Sequence, residues 1–455
     1  MIHRFLPLLA VAALQPALAA DRSAVSCSLA DVSSALTASA DGDRIVVPAG
    51  SCSWSGALTI TKGVQVIGQG VGVTNIAGGR FTVNVADGKS WRVSGLTITG
   101  TGGVNVIGGS KSGRIDHIAF NSVTGFTENR IIWINPTPGN YSAGLIDHIT
   151  ITDPKSIGIH VREDWGGGNN SYGRALGLGG ADAWYVEDSS FSQNTATYDV
   201  SSPLADCDGG GRIVFRNNTV DNNYFEMHDA IIGGLRSCRK WEIYNNTWTT
   251  TASRLSATGQ FAQIAIRGGN GVVFNNTFMA STGFDIVLDD YRAGGQTGGS
   301  PWGQTCQASG TAKACLATSG SPPRSCSADS DCGGVAGSCV KIDGASSSLA
   351  GYPCRDQIGT DGGGAQTVRP ALFWNNRVGT SQIAPTVEGR YDGRYLVEGR
   401  DYCIGPTTSS ADDANQPTSC GGAVVSYTPY IYPHPLQSSS TQALPLQPPM
   451  NVFVR

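Results

Sequence analysis

A motif built around paired asparagines recurs along the second half of the chain, and it constrains the fold more than any other feature. The copies are Phe215-Arg-Asn-Asn-Thr219, Tyr244-Asn-Asn-Thr247, Phe274-Asn-Asn-Thr277 and Trp374-Asn-Asn-Arg377. Counted from the first asparagine of each copy, the successive spacings are 28, 30 and 100 residues. A unit of about 30 residues cannot bury an apolar face alone, so neighbouring units must stack on one continuous core.

Each copy contains short alternating runs of β-branched and aromatic residues bounded by glycine and asparagine, which is typical of strands. Weaker copies lie upstream, at 92–98, 114–120, 145–151 and 185–191. The leucine frame of leucine-rich repeats is missing, and propeller blades need longer units. We therefore predict an all-β fold: a single-stranded right-handed parallel β-helix.

The paired asparagines mark the turn that follows a strand. Asparagine tolerates the left-handed backbone region, and its amide can bond to the coils above and below, about 4.8 Å away. An internal asparagine ladder is the interpretation that we favour, and direct contact of these amides with a sugar is the alternative.

The first 20 residues have the three parts of a signal peptide. Arg4 is followed by an apolar run from Phe5 to Leu14 and by the small residues Ala17-Leu-Ala19. This run is too short to span a bilayer, and no other run approaches that length. We therefore predict a secreted or periplasmic protein with no transmembrane segment.

The chain contains 12 cysteines, an even number that suits disulfides in an oxidising compartment. Cys27 and Cys52 are placed to join an N-terminal cap to the first coil. Cys207 and Cys238 are 31 residues apart, near one coil period, so they are candidates for a bridge between adjacent coils. No Cys-x-x-Cys pair is present, which disfavours a zinc-thiolate site.

The β-helix core needs a cover at each end. Ser28-Leu-Ala-Asp31 resembles a capping box that starts a short cap helix. We divide the chain into a signal peptide (1–20), an N-terminal cap and first strand (21–50), β-helix coils (51–293), a disulfide-rich insertion (294–364), the last coils (365–400), and a C-terminal loop with a proline-rich tail (401–455).

Charge excludes one class of partner. The net charge is −4 and charged residues make up 15% of the chain, so no basic stripe is available for nucleic acid. We expect a monomer that acts on a polysaccharide substrate.

Several segments resemble the pectate-lyase-like superfamily of right-handed parallel β-helices, especially its secreted bacterial members of undefined specificity. The matching pieces are Gly42-Asp-Arg-Ile-Val-Val-Pro48, Val66-Ile-Gly-Gln-Gly70, Trp241-Glu-Ile-Tyr-Asn-Asn-Thr247, Gly351-Tyr-Pro-Cys-Arg-Asp356 and Tyr432-Pro-His-Pro435. The resemblance extends from about Cys27 to Pro435. It implies a carbohydrate-active protein, and the superfamily includes lyases, hydrolases, esterases and epimerases, so the fold alone does not choose the reaction.

Histidine, tyrosine, aspartate and arginine residues concentrate in three successive predicted coils. The predicted catalytic residues are His228, Tyr198, Arg236 and Asp208, and the predicted substrate-binding residues are Arg212, Arg239, Arg267, Asp206 and Asp229. Asp208 and Arg236 both lie nine residues before the first asparagine of their repeat, and Arg267 lies eight before its own. Similar offsets in stacked coils predict a common face.

Such a face suits β-elimination at a uronic acid. The reaction needs a cation for the substrate carboxylate, a base for the proton on the carbon beside it, and a proton donor for the leaving oxygen. We predict a polysaccharide lyase in which Arg236 and Arg267 bind the carboxylate, His228 is the base and Tyr198 is the acid. Asp208 paired with Arg236 in a salt bridge is the structural alternative.

Other interpretations stay open. A hydrolase would use two carboxyl groups from Asp206, Asp208 and Asp229, and a non-catalytic carbohydrate-binding β-helix would need neither. No cofactor is assigned, and Ca²⁺ is left open because clustered aspartates offer oxygen ligands. His117 and His148 occupy matching repeat positions and are interpreted as turn residues, whereas His160 is assigned no role.

Overall fold

The structure is a computed structural model, and it describes residues 19–163, 170–194, 203–230, 235–250, 262–279, 284–289, 313–315, 325–334, 336, 338–340, 356–361, 367–387, 396–406 and 416–438. Tyr198, Cys306 and Cys354 lie outside these residues, as does the predicted signal peptide up to residue 18. The architecture is a parallel β-helix, as the repeat predicts.

Three parallel sheets run along the helix, and the chain visits the first, second and third in turn in each coil. The first sheet contains β1 (Asp21–Ser23), β2 (Arg44–Val46), β5 (Gln65–Ile67), β8 (Ser90–Val106), β9 (Ser112–Gly125), β11 (Gly144–Asp147), β14 (Trp184–Glu187), β17 (Arg212–Arg216), β20 (Lys240–Tyr244), β23 (Asn270–Phe274), β31 (Ala371–Trp374) and β35 (Tyr402–Ile404).

The second sheet contains β3 (Gly50–Ser53), β6 (Thr74–Ala77), β12 (Thr150–Thr152), β15 (Ser190–Ser192), β18 (Thr219–Asp221), β21 (Thr247–Trp248), β24 (Thr277–Phe278) and β32 (Arg377–Val378), and β33 (Ser381–Gln382) pairs antiparallel with β32 at its edge. The third contains β4 (Ala57–Ile60), β7 (Arg80–Val83), β10 (Arg130–Ile134), β13 (Ile157–Val161), β16 (Ala205–Cys207), β19 (Phe225–Met227), β22 (Ile264–Ile266), β25 (Ile286–Leu288) and β34 (Thr386–Val387). The long strand β8 contributes to all three sheets, and β9 contributes to the first and second.

The core is formed by alternate residues of each strand, stacked in register from coil to coil. In the first sheet, one inward row runs through Val186, Phe215, Ile243, Val273 and Phe373. All five side chains are buried. Burial of such a side chain stabilises the fold by roughly 1.5–3 kcal/mol, so the repeated rows account for the apolar pattern of the sequence.

The asparagine ladder is confirmed. The first asparagine of each pair has a positive φ, for example 58° at Asn217 and 58° at Asn245. The second faces inward and bonds to its equivalent in the next coil: Asn218 Nδ2 donates to Asn246 Oδ1 at 3.1 Å, and Asn246 Nδ2 donates to Asn276 Oδ1 at 2.9 Å. All three inward asparagines are buried, so the ladder satisfies polar groups inside the core.

Replacing Asn246 with alanine should destabilise the protein by about 1–3 kcal/mol, because neighbouring buried groups of the ladder lose their partner. Urea unfolding of Asn246→Ala measures this difference. Asn245→Gly is the matched control, because glycine accepts the φ of 58° at that position without a steric penalty. Equal stability of the two variants would show that the ladder is not what requires the second asparagine.

An α-helix, α1 (Leu29–Thr37), forms where the capping pattern predicts one. Ser28 is its N-cap and accepts from the Asp31 N–H at 3.2 Å. Val32 and Leu36 are buried in the same core cluster as the coils. Tertiary packing against β4 thus supports a helix of only nine residues, which would be marginal alone.

Disulfides join Cys27 to Cys52 and Cys207 to Cys238, both as the spacing favours. Three more pairs are Cys315–Cys332, Cys326–Cys339 and Cys403–Cys420. Five disulfides are consistent with an extracellular protein. The described residues contain no helix that is both long and apolar enough to cross a membrane.

The Cys-rich insertion leaves the coils after β25 and the stacking resumes at β31, since β23 pairs directly with β31 and β25 with β34. Its described part includes an antiparallel sheet of β26 (Lys313–Cys315), β27 (Ser325–Cys326) and β28 (Cys339–Val340), with a 3-10 helix at Asp329–Cys332. Two small antiparallel pairs are β29 (Thr360–Asp361) with β30 (Thr367–Val368) and β36 (Ser419–Cys420) with β37 (Ala423–Val424).

The C-terminal tail, residues 427–438, lies along the outer face of the first sheet and includes a 3-10 helix at Pro435–Gln437. Buried arginines of the coils bind its carbonyl groups. Arg216 donates to the carbonyls of Tyr430 at 2.7 Å and Ile431 at 2.9 Å, and Arg114 donates to Leu436 at 3.0 Å. The tail therefore attaches to early and middle coils.

Candidate active site

Two rows of polar side chains project outward from the third sheet. The first row is fixed by strand register, which aligns His160 with Asp206 and Asp206 with Glu226. Their strand neighbours point into the core, for example Ile159 and Ala205. The period of two in a strand therefore places this row on the outer face.

The second row begins one residue after these strands end. It contains Arg162, Asp208, His228, Arg267 and Asp289, and the parallel bonding continues through it, for example from the His228 N–H to the carbonyl before Asp208 at 2.9 Å. We call these eight residues of the two rows the charged face. Five successive coils thus align imidazoles, carboxylates and guanidinium groups along one face.

Asp208 is held by two partners in the charged face. Arg162 donates to it through Nε and Nη2, each at 2.5 Å, and His160 Nε2 lies 3.0 Å from its Oδ1. Burial opposes ionisation of Asp208, but His160 and Arg162 outweigh that effect and hold its pKa well below the usual value. Asp208 is therefore a carboxylate at neutral pH.

His160 has a defined tautomer in this arrangement. Arg130 Nε donates to His160 Nδ1 at 2.8 Å. A guanidinium group can only donate, so Nδ1 holds the lone pair and Nε2–H faces Asp208. The repeat pattern assigns His160 no role. The alternation Ile159-His-Val-Arg162 was the available signal, because it places His160 and Arg162 on the same side of a strand.

His228 lies between acidic and basic neighbours. Its Nε2 is 3.4 Å from Asp206 and 3.6 Å from Glu226, and its Nδ1 contacts Arg267. Burial and Arg267 oppose protonation of the ring, but the two carboxylates outweigh them, and the pKa of His228 is raised above its usual value.

His228 is also the most exposed histidine or carboxylate in the contact network of the charged face. Its side chain is 25% exposed, compared with 11% for Glu226 and 5% for Asp206. A ligand that approaches from solvent would therefore meet His228 before its acidic neighbours.

Arg267 is the cation nearest to His228. It bonds to Glu226 at 2.9 Å and lies 3.5 Å from Asp229. Of the nine residues that the sequence predicts to share one face, Asp206, Asp208, Asp229, His228 and Arg267 lie together in the structure.

Arg236 does not join them. Its Nε and Nη2 bind both oxygens of Asp356 at 2.7 and 2.6 Å, and its guanidinium stacks 3.7 Å from the ring centre of Tyr172. The side chain is 2% exposed. The predicted catalytic role of Arg236 conflicts with this burial, since the guanidinium is occupied by Asp356 and by the ring of Tyr172.

Arg212 and Arg239 are also structural. Both side chains are fully buried. Arg212 donates to Ser171 Oγ at 2.9 Å and to two loop carbonyls, and Arg239 pairs with Asp361. Their predicted substrate-binding role does not fit this geometry, because a polymer cannot reach them.

The sequence offsets predict that Asp208 and Arg236 stack on each other, and the structure shows why they do not. The residue stacked above Asp208 is His228, and Arg236 lies eight residues further along the chain. The turn from the third sheet to the first is short after Asp208 and longer after His228, so equal offsets from the asparagine pair do not identify equal positions. Tyr198, the predicted acid, lies outside the described residues.

The charged face does not converge on a metal ion in its described residues. No three histidine or carboxylate ligand atoms of these residues lie within 4.8 Å of one another, and the groups in the described part of the chain that do so lie elsewhere. The acidic residues of the face are engaged with Arg162, Arg267 and the two histidines instead. Calcium binding by Asp206 and Asp208 therefore stays a prediction without a preformed site in the described residues.

Comparison with known proteins identifies no family for the chain. No protein-family model matches the sequence, and no curated protein matches it significantly. Among solved structures, an alginate lyase from Paenibacillus sp. str. FPU-7 is similar at 15% sequence identity with a TM-score of 0.38. The aligned region covers 59% of this chain and 97% of the lyase chain.

Proposed function

We propose that the protein is a polysaccharide lyase that cleaves a uronic-acid-containing polymer by β-elimination at the charged face. The observation that carries this proposal is the position of His228: a partly exposed imidazole with a guanidinium group on one nitrogen and two carboxylates facing the other. β-Elimination needs a base beside a cation, and this arrangement supplies both.

Arg267 is the proposed partner of the substrate carboxylate, because its planar guanidinium matches a carboxylate in a bidentate manner. In the resting arrangement it contacts His228 Nδ1 and Glu226. When Arg267 turns to the substrate, the lone pair on Nδ1 becomes available. Binding of the correct substrate would thereby allow His228 to act as the base.

His228 then takes the proton from the carbon beside the carboxylate. The electron pair left on that carbon forms a double bond to the neighbouring carbon, and the glycosidic carbon–oxygen bond breaks. The leaving oxygen takes a proton from a donor, for which Tyr198 stays our candidate from the sequence. Protonated His228 lies beside Asp206 and Glu226, which stabilise the imidazolium.

Hydrolysis by paired carboxyl groups is less well supported. An inverting or retaining hydrolase needs one carboxyl group that is protonated at the working pH. Asp206 does not meet this need, since burial is outweighed by His228 and His160 and its pKa is lowered. Asp208 is likewise held ionised.

The test is to incubate residues 21–455 with a panel of uronic-acid polymers, with and without Ca²⁺, and to follow the ultraviolet absorbance of unsaturated uronates. An increase in this absorbance band supports the proposed lyase activity. New reducing ends without the band would overturn it in favour of hydrolysis. Binding of a polymer without any cleavage would overturn it in favour of a carbohydrate-binding protein.

The dependence of kcat/KM on pH tests whether His228 is the base. The base must be neutral, and the pKa of His228 is raised from 6.5, so the acidic limb of kcat/KM should lie above pH 6.5. Asp206→Asn removes one carboxylate that raises this pKa, so the limb should move to lower pH. Asp87→Asn, an exposed carboxylate paired with Lys111, is the control that should leave the limb in place. An unmoved limb in Asp206→Asn would mean that another group is the base.

A further inference from the structure

A second pair of histidines stacks on a corner of the β-helix away from the charged face. His117 and His148 follow Asp116 and Asp147, which are register partners in the first sheet. Both histidines have a φ of 52°. Their rings are 4.9 Å apart between centroids and inclined by only 5°.

Each ring is oriented by a buried carboxylate. His117 Nδ1 lies 2.6 Å from Asp116, and His148 Nδ1 lies 2.8 Å from Asp147. The two carboxylates are fully buried and are fixed in turn by arginines, for example Arg114, which binds both oxygens of Asp147 at 2.8 and 2.7 Å. An Nδ1–H that donates to a carboxylate leaves the lone pair of a neutral imidazole on Nε2.

The histidine side chains themselves are accessible, with exposed fractions of 53% for His117 and 43% for His148. Because both Nδ1 atoms face the carboxylates and the rings are nearly parallel, the two Nε2 atoms lie on the same side of the stack. The corner thus presents two adjacent, oriented imidazole nitrogens to solvent.

We propose that His117 and His148 bind a divalent transition metal ion such as Zn²⁺, with Asp116 and Asp147 orienting the two ligands from the outer shell. A carboxylate that holds the second nitrogen of a metal-binding histidine is the usual arrangement in protein metal sites. One nitrogen of each ring and an oxygen of Asp147 already lie within 4.8 Å of one another.

Coordination requires the two rings to leave their parallel stack. Zinc–nitrogen distances of about 2.0–2.1 Å require the two ligand atoms to be about 4 Å apart or closer. Because the Nε2 lone pairs of parallel rings are themselves parallel, the half-exposed rings must turn until both lone pairs point at the ion, and water molecules complete the coordination shell. Asp147 stays with Arg114 and supplies negative charge to the site.

Turn geometry alone does not explain the two histidines. The equivalent positions in later coils are Asp188, Asn217 and Asn245, all with positive φ. Aspartate and asparagine are the residues that tolerate this backbone region most readily. An asparagine would satisfy the turn at both positions. Two adjacent histidines, each bonded to its own carboxylate, therefore supply imidazole nitrogens that the turn itself does not need.

The test is titration of residues 21–455 with ZnCl2 by calorimetry, and with Cu²⁺ by electron paramagnetic resonance, in a buffer without chelators. We expect one equivalent to bind, and Cu²⁺ to show coordinated nitrogen. His117→Asn and His148→Asn should each weaken binding at least tenfold, and the double variant should lose this equivalent. Asparagine keeps the turn, so the metal-free variants should unfold at the same temperature as the wild type.

Binding should also weaken as the pH falls, because protons compete with the metal for the Nε2 atoms of the two histidines. His228→Ala should retain the equivalent, which separates this site from the charged face. Unchanged binding in the double asparagine variant, or no binding by the wild type, would overturn the proposal. Neither result depends on lyase activity.

Discussion

Replacing His228 with alanine should lower kcat by a factor of about 10²–10⁴, which is the range supplied by a positioned general base. The reason is that Nδ1 of His228 is the proposed proton acceptor. His228 is partly exposed, so its removal leaves no large core cavity, and the fold should persist. Initial rates of unsaturated-uronate formation at saturating polymer measure this loss.

A matched control is Thr82→Ala, since Thr82 lies in register with His160 in the first outward row of the third sheet, several coils away from His228. It should leave kcat unchanged. Partial recovery of His228→Ala by added imidazole would support the role as base. If His228→Ala keeps full kcat, the base is another group and the assignment of the charged face fails.

Breaking the Arg236–Asp356 pair should have the largest effect on stability. Asp356→Ala leaves the buried guanidinium of Arg236 without its bidentate partner, and loss of one member of a buried pair costs about 3–5 kcal/mol. The double variant Arg236→Met with Asp356→Leu should be less destabilised than the sum of the single changes. Urea unfolding of the wild type, Arg236→Met, Asp356→Leu and the double variant measures the coupling.

The same variants test the role that the sequence predicts for Arg236. A structural arginine should leave kcat per folded molecule unchanged in the double variant. A loss of kcat with an unaltered free energy of unfolding would instead restore Arg236 to catalysis and contradict its assignment as a buried structural group.

The fold was predictable because the asparagine pairs show which residues of neighbouring coils are aligned. Each inward asparagine, such as Asn246, must reach the next coil, so the asparagine pairs align the strands before them. The alignment extends along the first and second sheets, where the distance from the asparagine pair is only a few residues. It also predicts which neighbours face the core, as at Phe215.

The site was only partly predictable, because the third sheet is separated from the asparagine pair by turns of variable length. Asp208 and Arg236 share an offset but not a position, whereas Asp208 and His228 share a position but not an offset. His160 belongs to a coil whose following turn is longer still, so its distance from the repeat motif does not predict its position beside Asp208. The alternation within a strand predicts which of its side chains point outward. It does not predict which outward side chains of different coils lie next to each other when the turns between the strands are long.

The attachment of the C-terminal tail has a consequence for cooperativity. A stack of coils in which each unit contacts only its neighbours behaves as a one-dimensional array, and such arrays fray from their ends. Arg114 and Arg216 bind carbonyl groups more than 200 residues away, at Leu436 and Tyr430. Coils between these two anchor points cannot open singly without releasing the tail. Amide hydrogen exchange in that segment should therefore follow a shared, global opening, while coils beyond the anchors exchange independently.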